Sequence, residues 1–181
     1  TSVFEAIYPK VVPFDFEGFD AKGINGVAYK NYCTIMKWIL MDDMSYMALK
    51  SQSSDVKNRV ESLLGPHGLY SWRVLSEEYK SIAPSNAAVS RIYSTLETTL
   101  NGKKVVPFKQ MIGILIASPY GMNEYTAFMF LSLFSELLSY TTRLEIDGVK
   151  YSTRTWAEEV LQDRKFDAKL VNKTRLLLVD V

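Results

Sequence analysis

The chain is poor in the residue types from which most compact chemical centres are built. Its 181 residues include one cysteine, Cys33, and one histidine, His67. One cysteine excludes a disulfide within the chain, and two such ligands cannot close a Cys/His zinc site. With no disulfide framework, the reducing cytoplasm is the expected compartment. An excess of charge is lacking too: 21 basic residues stand against 20 acidic ones, a net of +1. That balance is unlike the basic footprint of a dedicated nucleic-acid binder, and leaves room only for local patches. No run of about eighteen apolar residues occurs, so no membrane span and no membrane partner are expected. The run from Ala127 to Leu138 is shorter and is broken by Ser132, Ser135 and Glu136. Neither a Gly-x-x-x-x-Gly-Lys-Ser/Thr phosphate loop nor a Gly-x-Ser-x-Gly nucleophile turn is present. No signal peptide is visible.

What the chain does have is an ordinary globular composition, 48% apolar and 23% charged, enough to offset the entropy of ordering. Its most informative stretch is Val105 to Val160. A short apolar helix (Phe108 to Ala117) leads to the turn Ser118-Pro119-Tyr120-Gly121 and then to a long apolar helix (Asn123 to Leu138). A hairpin follows from Arg143 to Tyr151 with Asp147 and Gly148 at its tip, because both turn residues must accept positive φ. The implied register sets Ile146 opposite Val149, Leu144 opposite Tyr151 and Glu145 opposite Lys150. Four apolar side chains then share one face, and an opposite-charge pair lies on the other. This pattern reads as a winged helix-turn-helix. The exposed stripe of the long helix is read as Asn123, Glu124, Ser132, Ser135, Glu136 and Ser139, with no arginine or lysine for base edges.

Upstream, Val3 to Phe19 reads as an extended arm. Pro9 and Pro13 exclude a continuous helix, and Phe14, Phe16 and Phe19 are candidate anchors. Apolar spacing predicts helices from Ile24 to Met41, after Ser53 or Ser54, from Leu69 to Lys80 around Trp72, and from Pro84-Ser85 to Leu100. A further turn of helix fits Met44 to Leu49. Downstream, Thr155 to Leu161 reads as a short helix and Arg175 to Val179 as a strand. The expected fold is mainly α, a helical domain with a winged helix-turn-helix and a small antiparallel hairpin. Two subdomains, 1–104 and 105–181, are expected to form one compact unit. The chain opens on Thr1 without methionine and ends just past the run Leu176-Leu-Leu-Val179; it reads as a fragment of a larger protein.

Candidate chemistry is sparse. Ser118 lies near a helix start but has no histidine close in sequence, so the segment is read as a turn. His67, between glycines, reads as a loop residue. Cys33, among Tyr32, Ile35 and Met36, reads as a buried structural thiol. The acidic pairs Asp42-Asp43, Glu77-Glu78 and Glu158-Glu159 read as solvated faces. No catalytic, cofactor-binding or metal-ligating residue is assigned. The candidate phosphate contacts are Lys103, Lys104, Arg143, Lys150 and Arg154.

Ile112-Gly-Ile-Leu-Ile-Ala-Ser-Pro-Tyr-Gly-Met122, the apolar helix behind it, Ile146-Asp-Gly-Val-Lys-Tyr151, Trp156 and Leu161-Gln-Asp-Arg-Lys-Phe166 carry a resemblance. Together they resemble a region downstream of the nucleotide-binding domain in large prokaryotic P-loop ATPases of phage-defence (BREX-type) and DNA-processing loci. The opening from Tyr8-Pro9 to Phe19 resembles the segment leading into that region. The resemblance implies a non-catalytic module whose partners are other domains of the parent chain, protein subunits or, weakly, DNA. ATP and magnesium would belong to the parent protein, and no cofactor to this stretch. Two other readings stand beside it: a DNA-binding winged-helix regulator of transcription, and a small enzyme of unknown type.

Overall fold

The computed structural model describes residues 3–8, 10, 12, 14, 19–20, 23–24, 26–41, 43, 46–162 and 165–179. The protein is mostly helical with a small four-stranded antiparallel sheet. Its amino-terminal part holds α1 (Val3–Ile7), the short strands β1 (Phe19–Asp20) and β2 (Gly23–Ile24), α2 (Gly26–Leu40), α3 (Tyr46–Lys50) and α4 (Ser54–Leu63). Then come α5 (Ala87–Leu100), β3 (Val105–Pro107), α6 (Phe108–Ile116) and α7 (Glu124–Leu137). The chain continues through β4 (Thr142–Ile146), β5 (Val149–Tyr151), α8 (Thr153–Val160), α9 (Ala168–Lys173) and β6 (Arg175–Leu178).

Local sequence sets most helix starts. Side chains of Ser53, Asn86, Asn123, Ser152 and Asp167 accept first-turn amides of α4, α5, α7, α8 and α9. Each satisfies a donor that the helix itself leaves unbonded. At α7 the bond from Thr126 N to Asn123 Oδ1 is 2.8 Å. The expected start of α5 at Pro84-Ser85 thus moves to Ala87, behind the Asn86 cap.

The hairpin has the expected register, with Ile146 opposite Val149, Glu145 opposite Lys150 and Leu144 opposite Tyr151. Asp147 and Gly148 take positive φ of 50° and 86°. The sheet order is β3-β6-β4-β5. Strand β6 therefore separates β3 from the hairpin and pairs antiparallel with both neighbours. Leu144, Ile146, Leu176 and Val106 are buried on one face. Val149 is an exception to the expected packed face, being 53% exposed at the sheet edge.

Helix α7 lies at the centre. It packs on α2 and α6, and every residue from Thr126 to Ser135 is buried. One hydrophobic cluster runs from Val12 through α2, α4, α5, α6 and α7 to Leu176. Trp72 and Phe130 meet at 5.2 Å, and Tyr93 stands edge-on to Phe130 and Phe134 at 5.1 and 5.5 Å. Such edge contacts add to area burial. Among the described residues no helix is long and apolar enough to cross a membrane.

Three expectations fail. Residues 69–80 are not a helix. Trp72 donates its amide to Leu63 O at 2.8 Å, and Val74 and Leu75 both donate to Leu64 O at 3.2 Å. These bonds tie the segment to the end of α4 and replace its own helical ladder. Arg73 and Tyr79 adopt positive φ, 53° and 63°, which interrupts any right-handed helix. Second, Ser132 and Ser135 are buried rather than exposed, since α7 lies within the core and packs on both α2 and α6. Third, the arm is not wholly extended, since Val3–Ile7 is helical. Phe14 does anchor, its ring 6.0 Å from that of Trp72. Pro9, Pro13, Phe16, Asp42 and Met44 fall outside the described residues, as does the structure of the Phe19 side chain.

Candidate functional site

The turn between α6 and α7 is covered by the amino-terminal arm. Its Ser118–Pro119 peptide is cis, and Gly121 has φ 63°. Ser118 Oγ donates to Ile7 O at 2.9 Å, and Lys10 N donates to Pro119 O at 3.0 Å. Tyr120 is buried, and its hydroxyl meets Thr95 Oγ1 at 2.9 Å. A side chain at Gly121 would strike the Tyr8 ring, with a Cβ 2.3 Å from Cγ. Pro119, Tyr120 and Gly121 are thus the structural turn that the sequence suggested, and the turn is also a docking point. Ser118 is held by backbone, not by a base.

The five candidate cations do not converge. Lys103 and Lys104 precede β3 at one corner of the sheet, where Lys104 O accepts Leu178 N at 2.9 Å. Lys150 lies on the opposite edge strand, in register with Glu145 and Arg175. Strand spacing puts these corners about 14 Å apart across the sheet and about 10 Å apart along it. The expected Glu145–Lys150 ion pair is replaced by one from Arg175, whose Nε is 2.8 Å from Glu145 Oε1 and whose Nη2 also contacts that oxygen. Arg175 arrives from β6, a non-local partner that hairpin register alone could not reveal. At the tip, Lys173 pairs with Asp147 at 3.7 Å.

Arg143 and Arg154 are brought together, around a cleft of about 340 Å³ that also takes in Glu136 and Tyr140. Both guanidinium groups are bonded to backbone carbonyls. Arg143 Nη1 donates to Thr142 O at 2.7 Å and to Ser139 O at 3.4 Å, just past the end of α7. Arg154 Nη1 donates to Met41 O, just past the end of α2, and its Nη2 is 3.5 Å from Asp43 Oδ2. Helix ends leave carbonyls unbonded and carry partial negative charge, which a guanidinium matches. Both side chains are therefore committed to structure before any phosphate arrives.

The remaining polar candidates are local. His67 Nε2 lies 2.9 Å from Glu77 Oε2, both exposed. Glu159 accepts from Gln162 at 3.5 Å. No group of three His, Cys, Asp or Glu side chains able to hold a metal occurs among the described residues. Cys33 is buried, and desolvation pushes its thiol up to about 11 despite a hydrogen bond with Tyr29. Burial likewise raises Tyr32 and Tyr93. These groups stay protonated near neutrality and have the properties of core residues, not of bases or nucleophiles. Sequence reasoning missed Lys173 and Arg175, which only the β6 pairing carries to the hairpin. Compared with protein-family models, curated proteins and solved structures, the chain matches none of them.

Proposed function

We propose that this chain is a non-catalytic winged-helix and helical module of a larger P-loop ATPase, contacting other domains of that protein or partner subunits. DNA would be touched only weakly and without sequence preference. The order α5, β3, α6, turn, α7, β4, turn, β5 supports the winged-helix part of this reading. The observation that favours protein contacts over base reading is the burial of α7. A recognition helix must offer polar side chains to base edges. Here that position is filled by the buried Phe128, Phe130, Leu131 and Phe134, three of whose rings pack on Phe166, Trp72 and Tyr93. The helix serves as a core, and the module's outer surfaces are left for contacts. The basic side chains near the wing are dispersed or already paired with acids and carbonyls, which favours proteins over nucleic acid as partners.

Two measurements test the reading. The reading frame that encodes this chain should also encode a Walker-type phosphate loop upstream; a frame without one removes the ATPase assignment. Anisotropy titration against mixed duplexes at physiological salt should give dissociation constants of ~10⁻⁴–10⁻⁶ M that weaken steeply with salt. Nanomolar binding to one sequence alone would replace this reading with that of a regulator.

A further inference from the structure

The amino-terminal arm meets the rest of the protein through a few contacts that are distant in sequence. Ser118 Oγ donates to Ile7 O at 2.9 Å across 111 residues, and Lys10 N donates to Pro119 O at 3.0 Å. Both bonds use the arm's backbone, so they hold the arm without selecting its side chains. Selection comes from three positions. The half-buried Tyr8 ring fills the space that a Cβ on Gly121 would take, with three ring carbons 2.3–2.8 Å from it. Val12 is buried in the hydrophobic core, and the Phe14 ring stands 6.0 Å from that of the buried Trp72. Ahead of these, α1 packs extensively on no other helix or strand among the described residues, and its Val3 and Ile7 are exposed. The turn under the arm is held by its own helix instead. Tyr120 N and Gly121 N donate to Ala117 O at 3.0 and 3.1 Å, and Met122 N donates to Leu115 O at 3.0 Å. The seat thus has its shape without the arm, and nothing in these contacts requires arm and seat to belong to one chain.

We propose that the seat also takes the arm of a second copy of this chain, so that two copies are joined by exchanging arms. The occupant is named by the contacts themselves, since an exchanged Tyr8, Val12 and Phe14 remake the ones already seen. A reciprocal trade closes a twofold pair. This goes beyond the interaction-module reading and does not depend on it. The chain's own arm is the competitor, at an effective concentration of ~1 mM. For that arm to be seated in about nine molecules of ten, the contact in trans must have a dissociation constant of ~100 µM or tighter. Parent chains therefore stay apart at micromolar concentration and trade arms near millimolar, where copies are held side by side.

Two complementary full-length variants test this. Tyr8→Ala has an open seat and a poor arm, and Gly121→Ala has a sound arm and a blocked seat. Mixed at about 200 µM each, about half or more should sediment as a one-to-one pair. Each variant alone, and the parent, should sediment as monomers at the same concentration, with urea unfolding to show that all three are folded. A synthetic peptide of residues 1–14 gives a second reading that does not need Gly121→Ala. Titrated onto the Tyr8→Ala chain and followed by anisotropy, it should bind at ~100 µM or tighter. The same peptide carrying Tyr8→Ala, or a scrambled sequence, should bind about tenfold or more weakly, as for loss of an aromatic anchor. The proposal is overturned if the mixture stays monomeric, if the parent or either variant alone pairs as strongly as the mixture, or if peptide binding is absent or indifferent to sequence.

Discussion

Replacing Gly121 by alanine should destabilise the protein more than the same change at two other glycines that share its backbone conformation. Gly102, Gly121 and Gly148 have φ of 71°, 63° and 86°. A left-handed alanine costs ~1–2 kcal/mol wherever it is placed. At Gly102 and Gly148 nothing lies within 4 Å of the new methyl group, so that strain is the whole effect. At Gly121 the methyl carbon would sit 2.3, 2.5 and 2.8 Å from Cγ, Cδ1 and Cδ2 of Tyr8. The ring must retreat by about 1 Å to reach ordinary contact. That retreat pulls on the bonds from Ser118 to Ile7 and from Lys10 to Pro119, each worth ~0.5–1.5 kcal/mol net. The sum for Gly121→Ala is ~2–5 kcal/mol. Urea unfolding of the three single variants separates strain from clash, and brief proteolysis should show the arm of Gly121→Ala cut faster. In a Tyr8→Ala background the clash is gone, and Gly121→Ala should cost no more than Gly148→Ala. If the three glycines behave alike, or if Tyr8→Ala and Gly121→Ala add within about 0.5 kcal/mol, the arm does not dock on this turn.

Trp156→Phe keeps the ring packing on Phe108 but loses the bond from Nε1 to Thr174 Oγ1 at 2.9 Å; chemical denaturation should register a loss of ~1–3 kcal/mol. Ser135→Ala removes a fully buried hydroxyl that has no hydrogen-bond partner among the described residues, and should leave stability unchanged or raise it by up to about 1 kcal/mol; a clear loss would show that the hydroxyl is satisfied. Cys33 should react with iodoacetamide only slowly at pH 8, its rate rising toward pH 11 where the thiol titrates. The sign is fixed by the raised value: between about 9 and 11 the unfolded chain releases this proton first, so stability falls as pH rises through that window.

The hairpin was legible because two independent local signals agree there, period-two alternation and a turn that needs positive φ. Helices α2, α4, α5, α6 and α7 were legible for a similar reason, apolar spacing closed off by capping residues such as Ser53 and Asn123. The segment 69–80 was not. Its apolar residues fit a helical period, but Trp72, Val74 and Leu75 take their hydrogen bonds from the end of α4, and no local window contains that partner. The candidate contacts fared likewise. Arg143 and Arg154 look free in the sequence; Arg143 bonds to carbonyls one and four residues away, which no pattern of residue types marks, while Met41 comes within reach of Arg154 only once α2 and α8 are packed. The burial of Ser132 and Ser135 has the same origin, since serine on an apolar helix reads as its wet side until another helix covers it. The short strand β3 was missed because Val105–Pro107 has no neighbour nearby in sequence.

That strand points to how the sheet must assemble. Neither β3 nor the β4–β5 hairpin bonds to the other; each meets only β6. Strand β6 is therefore a keystone, and the segment from Val105 to Val160 is not autonomous. A nascent chain that has emerged only through α8 would carry two short, unsatisfied strand edges flanking an empty central lane. Exposed edges of that kind invite pairing with other chains, and their closure must wait for contacts distant in sequence, which slows folding. The hairpin's rigidity is thus set from outside the hairpin. A protein that trimmed or displaced Arg175–Leu178 would loosen β3 and the hairpin together while leaving the helical core standing.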